Sequence, residues 1–370
     1  MKKTILLFSA LLIFGNLSAQ DKAALVNPII GTNGMGHTFP GACTPFGWVQ
    51  LSPDTDTIPH NVNGAYQKNA YEYCAGYQYR DKTIVGFSHT HLSGTGHSDL
   101  GDILLMPAVG DVKLNPGRAD HPEEGYRSRF DKKDEVARPG YYSVLLKDYG
   151  VKAELTATER VGFHRYTFPA TEEANLIFNI GTRMGESGPV RDASVTYTDD
   201  GRIEGWVVTE PAYVDIYQKG ATVTMYFSAV LDAEPAAWGA FSGEQTFAGE
   251  RSRTGVGAGL YLRFDTRERQ QVGLKIGLSY TSVENARLNL EKEAARKDFD
   301  RVRREANDTW EEALGRLRVE GGLHDDRVKF YTGLFHALLG RGLASDVNGA
   351  YPANDGTVGQ IPLDPAGNPL

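Results

Sequence analysis

Cysteine is nearly missing: Cys43 and Cys74 are the only two in 370 residues. Two thiols cannot build a disulfide framework, so apolar packing and hydrogen bonding must hold the chain together. Pairing of the two is permitted if the chain is exported, and spacing does not decide it; two free, buried thiols is the reading favoured. Long apolar runs are missing beyond the first twenty residues, where about 18 in a row would be needed to cross a bilayer, so no membrane insertion is expected. Positive charge is scarce. With 39 Lys and Arg against 47 Asp and Glu the formal charge is −8, and it becomes −10 once Lys2 and Lys3 leave with residues 1–20, which contain no acid. That balance argues against nucleic acid and anionic membrane as partners and suits a neutral substrate. Phosphate-cradling motifs are missing too. No G-x-G-x-x-G or G-x-x-x-x-G-K-[S/T] opens a helix, and Gly255-Val256-Gly257-Ala258-Gly259 leads into the strand-like LYLRF instead.

What is present begins with a leader. Lys2 and Lys3, the apolar run Ile5 to Gly15 and the small residues Leu17-Ser18-Ala19 have the form of a secretory signal peptide. No cysteine follows it to carry a lipid. Export to the periplasm or the extracellular space is therefore expected. About 350 residues remain, room for two domains and an ample core. Residues 140 to 281 are β-rich: Val151, Ala153, Leu155 and Ala157 alternate with polar residues, as do Val272, Leu274, Ile276, Leu278 and Tyr280. Asp200-Gly201 between two such runs predicts a hairpin. Many short strands predict a mainly β fold, a two-sheet antiparallel β-sandwich. The pattern then turns helical. Thr281 and Glu284 have capping-box spacing, Phe299, Val302, Ala306, Trp310, Ala313 and Leu317 form a stripe, and residues 325 to 339 form a second amphipathic helix. The expected organisation is a signal peptide over 1–20, a sandwich over 21–281, a helical linker over 282–322, and an incomplete helical domain over 323–370, because two helices cannot bury their faces alone.

Chemistry concentrates in Ile84 to Met106, where His89, His91, His97, Asp99, Asp102 and four glycines lie between two apolar runs. This is a tight polar loop held by buried strands, either a site or a self-satisfied turn. His89-x-His91 also begins the metal motifs of several zinc hydrolases. The metallo-β-lactamase pattern wants Asp two residues after the second histidine; Ser93 stands there, and the later histidines do not cluster. Zinc is disfavoured. Two further stretches suit a sugar pocket: Gly36-His37-Thr38-Phe39, which offers a donor beside an aromatic face, and Tyr66 to Tyr79, where five tyrosines surround Glu72 and Cys74.

Four segments carry a resemblance. VNPIIGTNGMGHTFPGACTPFGWVQLSPDT, CAGYQYRDKTIVGFSHTHLSGTGHSDLGDILLMP, PGYYSVLLKDYGVKAELTATERVGFHRYTFP and FYTGLFHALLGRGLASDVNGAYP resemble, in order, glycoside hydrolase family 92, exported calcium-dependent exo-α-mannosidases. The resemblance implies an N-terminal sandwich, then a linker helix and the start of an (α/α)6 helical barrel. It implies inverting hydrolysis of terminal α-mannosides, with a mannose-containing glycan as partner. It places the catalytic acid, the base and the calcium ligands C-terminal to the SDVNG segment, so no catalytic residue or metal ligand is expected within these residues, and the chain alone is expected to be inactive. A non-catalytic carbohydrate-binding module is the alternative. The substrate-binding residues carried across are Asp346, set against mannose hydroxyls, and Gly36, His37, Phe39 and Cys74, from the loops that close over the pocket. Tyr73 joins them, in a Tyr71-Glu72-Tyr73 run where many members have tryptophan before the cysteine. His91 is expected at the edge, supporting the pocket more than touching sugar.

Overall fold

The computed structural model describes residues 21–96, 102–182, 187–211, 214, 217–340, 342–367 and 369. The expected signal segment, His97 and Asp99 lie outside the described residues. Period-two sequence becomes period-two burial. In Arg202–Thr209 the residues Ile203, Gly205, Val207 and Thr209 are buried, while Arg202, Glu204, Trp206 and Val208 stay half-exposed. Along Gln271–Ser279, Val272, Leu274, Ile276 and Leu278 point inward. Asp200-Gly201 does turn a hairpin, setting Tyr197 opposite Ile203.

These strands form two antiparallel sheets. One runs in spatial order Ala42–Cys43, Gln50–Asp54, Gly86–Ser88, Leu104–Val109, Ala174–Asn179, Ala258–Phe264, Ala237–Ser242 and Gln245–Ala248. The other runs Ser252–Thr254, Val190–Tyr197, Arg202–Thr209, Val223–Leu231, Gln271–Ser279, Val161–Thr167, Val151–Ala157, Tyr141–Leu146 and Val136–Arg138. Leu51, Phe87, Leu105 and Phe178 of the first share one apolar cluster with Val144, Leu155, Phe227 and Ile276 of the second. The fold is mainly β, a sandwich followed by helices.

Three helices follow: α1 (Val283–Ala294), α2 (Phe299–Gly315) and α3 (His324–Leu338). Ser282, not Thr281, caps α1, accepting the Asn285 N–H at 3.1 Å. The cap is displaced by one residue because the Thr281 hydroxyl is engaged elsewhere. α1 lays Leu290 and Ala294 on Val161 and Phe163, covering the outer face of the second sheet. On α2 the buried stripe is Val302, Ala306, Trp310 and Leu314; Leu317, expected inward, lies past the helix end and is half exposed. α2 and α3 bury Trp310, Leu314, Tyr331 and Phe335 against Phe39, Cys43 and Ala75 of the sandwich. The Trp310 indole N–H donates to the Cys43 carbonyl at 2.7 Å, and its ring packs on Phe335 with centroids 4.5 Å apart. Both cysteines are buried and neither is in a disulfide.

Trp310 joins helix to sheet by both packing and a buried hydrogen bond. Trp310→Ala is expected to cost about 3–5 kcal/mol in urea unfolding. A loss below about 1 kcal/mol would show that the helices do not depend on this contact.

Candidate functional site

The strand Gln50–Asp54 carries an unusual face. Gln50, Ser52 and Asp54 are all buried and, at period two, share one side. A sandwich strand would ordinarily place apolar residues there. The Asp54 carboxylate and the Gln50 amide N–H₂ are met by other groups. The Asp54 carboxylate accepts the Ser88 N–H at 3.1 Å, and its other oxygen lies 3.1 Å from His91 Nε2. His91 Nδ1 donates to the Gln50 carbonyl at 2.7 Å, and the Gln50 amide donates to the Leu339 carbonyl at 2.8 Å. A carbonyl can only accept, so Nδ1 carries a proton. Nε2 faces both the Asp54 carboxylate and, at 3.2 Å, the Ser88 hydroxyl, a buried polar cluster. Gly76 makes room for it: a Cβ there would sit 2.3 Å from Asp54 Oδ1 and 3.0 Å from His91 Nε2.

His89 faces the opposite way. Its Nδ1 donates to the Ile103 carbonyl at 2.8 Å, which leaves Nε2 bare. His164, on the facing sheet, must therefore supply the proton in the 3.0 Å Nε2–Nε2 contact. His164 Nδ1 in turn accepts from the Tyr166 hydroxyl at 2.7 Å. The order of protons along this strut is fixed, and it holds only while both rings are neutral. Burial pushes His89 down to about 4, helped by the nearby His91, against the Ile103 bond, which favours the charged form. Burial, then the neighbouring His89, pushes His164 well below the ordinary histidine range. With His89 and His91 each committed inward, the zinc arrangement is not formed among the described residues.

The expected pocket residues gather on one side of this polar face. Gly34 and Gln78 exchange hydrogen bonds at 2.7 and 3.0 Å, fixing the Gly34–Gly36 turn. His37 closes that turn in a left-handed conformation (φ 51°), and its carbonyl accepts the Gly94 N–H at 2.6 Å. Its ring meets the Tyr71 ring edge-on at 4.9 Å. The Tyr71 hydroxyl and the Cys74 thiol both point to the Gly96 carbonyl, at 2.6 and 3.8 Å. Phe39 lies 5.5 Å from the His91 ring. The His37 Nε2 atom is buried and has no hydrogen-bond partner among the described residues, and the same holds for His336 Nε2 on α3. Burial lowers both imidazoles from their ordinary range; at His37 the Glu72 charge and a bond to the Tyr71 backbone work the other way.

Direct sugar contact by Phe39, Tyr73, Cys74 and His91 does not fit this arrangement, because all four are buried. Tyr73 turns away altogether: its hydroxyl donates to Asp81 at 2.8 Å and lies 2.6 Å from the Thr57 hydroxyl. Tyr71 and Gly36 are the exposed members of the group. Sequence reasoning passed over Gln78 and His336; the first had no signal, and the second is one more polar residue in an amphipathic helix.

Asp346 sits in a different network. It is fully buried, and its carboxylate accepts from the Ser279 hydroxyl at 3.0 Å, the Thr281 hydroxyl at 2.5 Å and the Asn289 amide at 2.6 Å. Its neighbours Ser345 and Val347 line a cleft of 980 Å³, together with Arg160, Glu293, Tyr351 and Gln360. Three protein donors already occupy this buried carboxylate. Among the described residues no group of three or more His, Cys, Asp or Glu side chains is placed to hold a metal ion.

Comparison with known proteins places the fold. Residues 25–279 match the glycosyl hydrolase family 92 N-terminal domain and residues 285–364 match the family 92 catalytic domain. The chain belongs to glycosyl hydrolase family 92. Among solved structures, a family GH92 α-mannosidase of Bacteroides thetaiotaomicron in complex with mannoimidazole is 31% identical with a TM-score of 0.83, over 93% of this chain and 43% of its own. A GH92 inverting mannosidase of the same organism shares the fold at 23% identity and a TM-score of 0.75, over 93% of this chain and 43% of its own. An uncharacterized secreted glycosidase of Arthroderma benhamiae is 25% identical over 86% of this chain and 41% of its own. The chain thus spans less than half the length of these relatives. No helix among the described residues is long and apolar enough to cross a membrane.

The neutral strut fixes a sign for acid sensitivity. A histidine whose folded value is lowered contributes stability that is complete above about 6.5 and is lost as pH falls toward its folded value. The stability difference between wild type and His89→Leu, measured by urea unfolding, is therefore expected to shrink by about 3 kcal/mol between pH 7 and pH 4. A difference independent of pH would mean that His89 is not held neutral.

Proposed function

We propose that this chain is part of an exported exo-acting α-mannosidase that removes terminal mannose from glycans with inversion. The observation that carries the reading is the 31% identity, sustained over 93% of the chain, to a family 92 α-mannosidase that binds mannoimidazole. Inversion asks for a carboxylic acid at the leaving oxygen and a carboxylate behind a water, roughly 6.5–9.5 Å apart. We assign neither role to a described residue. Export is supported by the character of residues 1–20 and by the secreted relative.

The pocket proposed for the terminal mannose is the turn that ends at His37, walled by Tyr71 and the backbone of Gly94 and Gly96. His37 suits it because Nε2 is a buried polar atom without a partner among the described residues, and such an atom gains from meeting a hydroxyl. Tyr71 offers a half-exposed ring on which an apolar sugar face can rest. Phe39, Cys74 and His91 form the floor beneath. Calcium enters only as a proposal for the whole protein, on the strength of the family resemblance.

Calorimetric titration with mannoimidazole tests the reading. Binding is expected, competed by methyl α-mannoside and not by the galactoside, and weakened about tenfold by His37→Ala without loss of fold. No heat, or equal competition by galactoside, would contradict it. EDTA is expected to leave this binding unchanged, since no described cluster could hold the ion; loss of binding in EDTA would place a metal in the pocket.

A further inference from the structure

We propose that Asp346 is a positioning residue, a buried latch that fastens residues 345–350 to the end of the sandwich, and not a ligand of the sugar. The donors that reach it come from both sides of the boundary between the two family segments. Ser279 is the last residue of the strand Gln271–Ser279, Thr281 lies in the connection, and Asn289 is in α1. One carboxylate oxygen takes both hydroxyls and the other takes the amide. Only an all-acceptor group satisfies three converging donors at once; an amide in its place would turn an N–H₂ toward one of them.

The donors are themselves held. Asn289 also donates to the Leu278 carbonyl at 2.7 Å, and its oxygen accepts the Val347 N–H at 2.9 Å. Asn285 donates to the Thr281 hydroxyl oxygen at 2.7 Å and accepts from the Asn348 amide at 2.9 Å. The loop closes on itself through Asp346 N–H to Ala350 O and Gly349 N–H to Asp346 O, both 2.8 Å. On its other flank Arg160 Nε donates to the Ser345 carbonyl at 2.7 Å while Nη1 pairs with Glu293 at 2.7 Å. Arg160 is the cation whose charge favours the ionised carboxyl, yet it binds the loop backbone rather than the carboxylate. Burial raises the Asp346 value against the Thr281, Asn289 and Ser279 bonds and the Arg160 charge. Three converging neutral donors hold a carboxyl whose charge burial opposes, while Arg160 is bonded to the loop backbone beside it. Ser345 and Val347, on either side of it, form part of the wall of the 980 Å³ cleft, so the latch sets where that wall stands.

Amide hydrogen exchange on the 370-residue chain tests this without reference to sugar. Asp346→Asn and Thr281→Val are each expected to speed exchange at Val347 and Gly349 about tenfold while the sandwich strands keep native protection. The double variant should exceed the larger single effect by no more than about twofold, because both remove one contact. Thr281→Ser, which keeps the hydroxyl, should restore native exchange, an outcome open even if Asp346→Asn fails to fold. Unchanged loop exchange in Thr281→Val, or effects that multiply in the double variant, would overturn the latch. A chain that binds no mannoimidazole but shows the exchange pattern would remove the functional reading and leave the latch standing. Mannoimidazole affinity lost in Asp346→Asn, with loop exchange native in both single variants, would make Asp346 a sugar ligand after all.

Discussion

Docking of the helices onto the sandwich is the constraint on which the rest of this structure depends. α2 and α3 each expose an apolar stripe that neither can hide alone, and they hide it against Phe39, Cys43 and Ala75. Those three residues come from the glycine- and proline-punctuated stretches that also carry His37 and Gly76. Packing of the helices and shaping of the pocket are therefore one event. Trp310 fixes it at one end through the Cys43 carbonyl, Gln50 at another through the Leu339 carbonyl, and Arg160 and Asp346 at the far side of the seam.

Beneath the proposed pocket, two histidines separated by one residue turn to opposite sides. His91 turns back to Asp54, the Ser88 hydroxyl and the Gln50 carbonyl. His89 crosses to His164 on the other sheet, where burial disfavours the charged form of both rings. Gly162, on the facing strand, permits the crossing: a Cβ there would lie 2.9 Å from the His89 ring. A ring on a carboxylate and a ring on a second ring give the loop two anchors of different character. Both cost less than unpaired polar groups would, because nearly every ring nitrogen meets a matching partner.

Much of this was legible in the residues. Alternation along 151–157 and 272–280 and the Asp200-Gly201 turn name strands and a hairpin, since burial on one face of a sheet imposes period two on sequence. The stripe on α2 is as plain. The candidate site was legible only in part, because sequence spacing carries no direction. Tyr71 and Tyr73 look equivalent, but in the 3-10 helix Lys68–Tyr73 one ring faces out and the other faces Asp81. Thr281 looks like a cap until Asp346, 65 residues away, claims its hydroxyl. The resemblance sets Asp346 against mannose hydroxyls; only three-dimensional convergence reveals Ser279, Thr281 and Asn289 around it.

The account separates a residue that holds the protein from residues that hold the sugar. A crystal structure of this chain with mannoimidazole bound tests that separation most directly. The account predicts the ligand against His37 Nε2 and the Tyr71 ring, with the Asp346 carboxylate still bonded to Ser279, Thr281 and Asn289. A ligand whose hydroxyls displace those donors from Asp346, with His37 untouched, would contradict it.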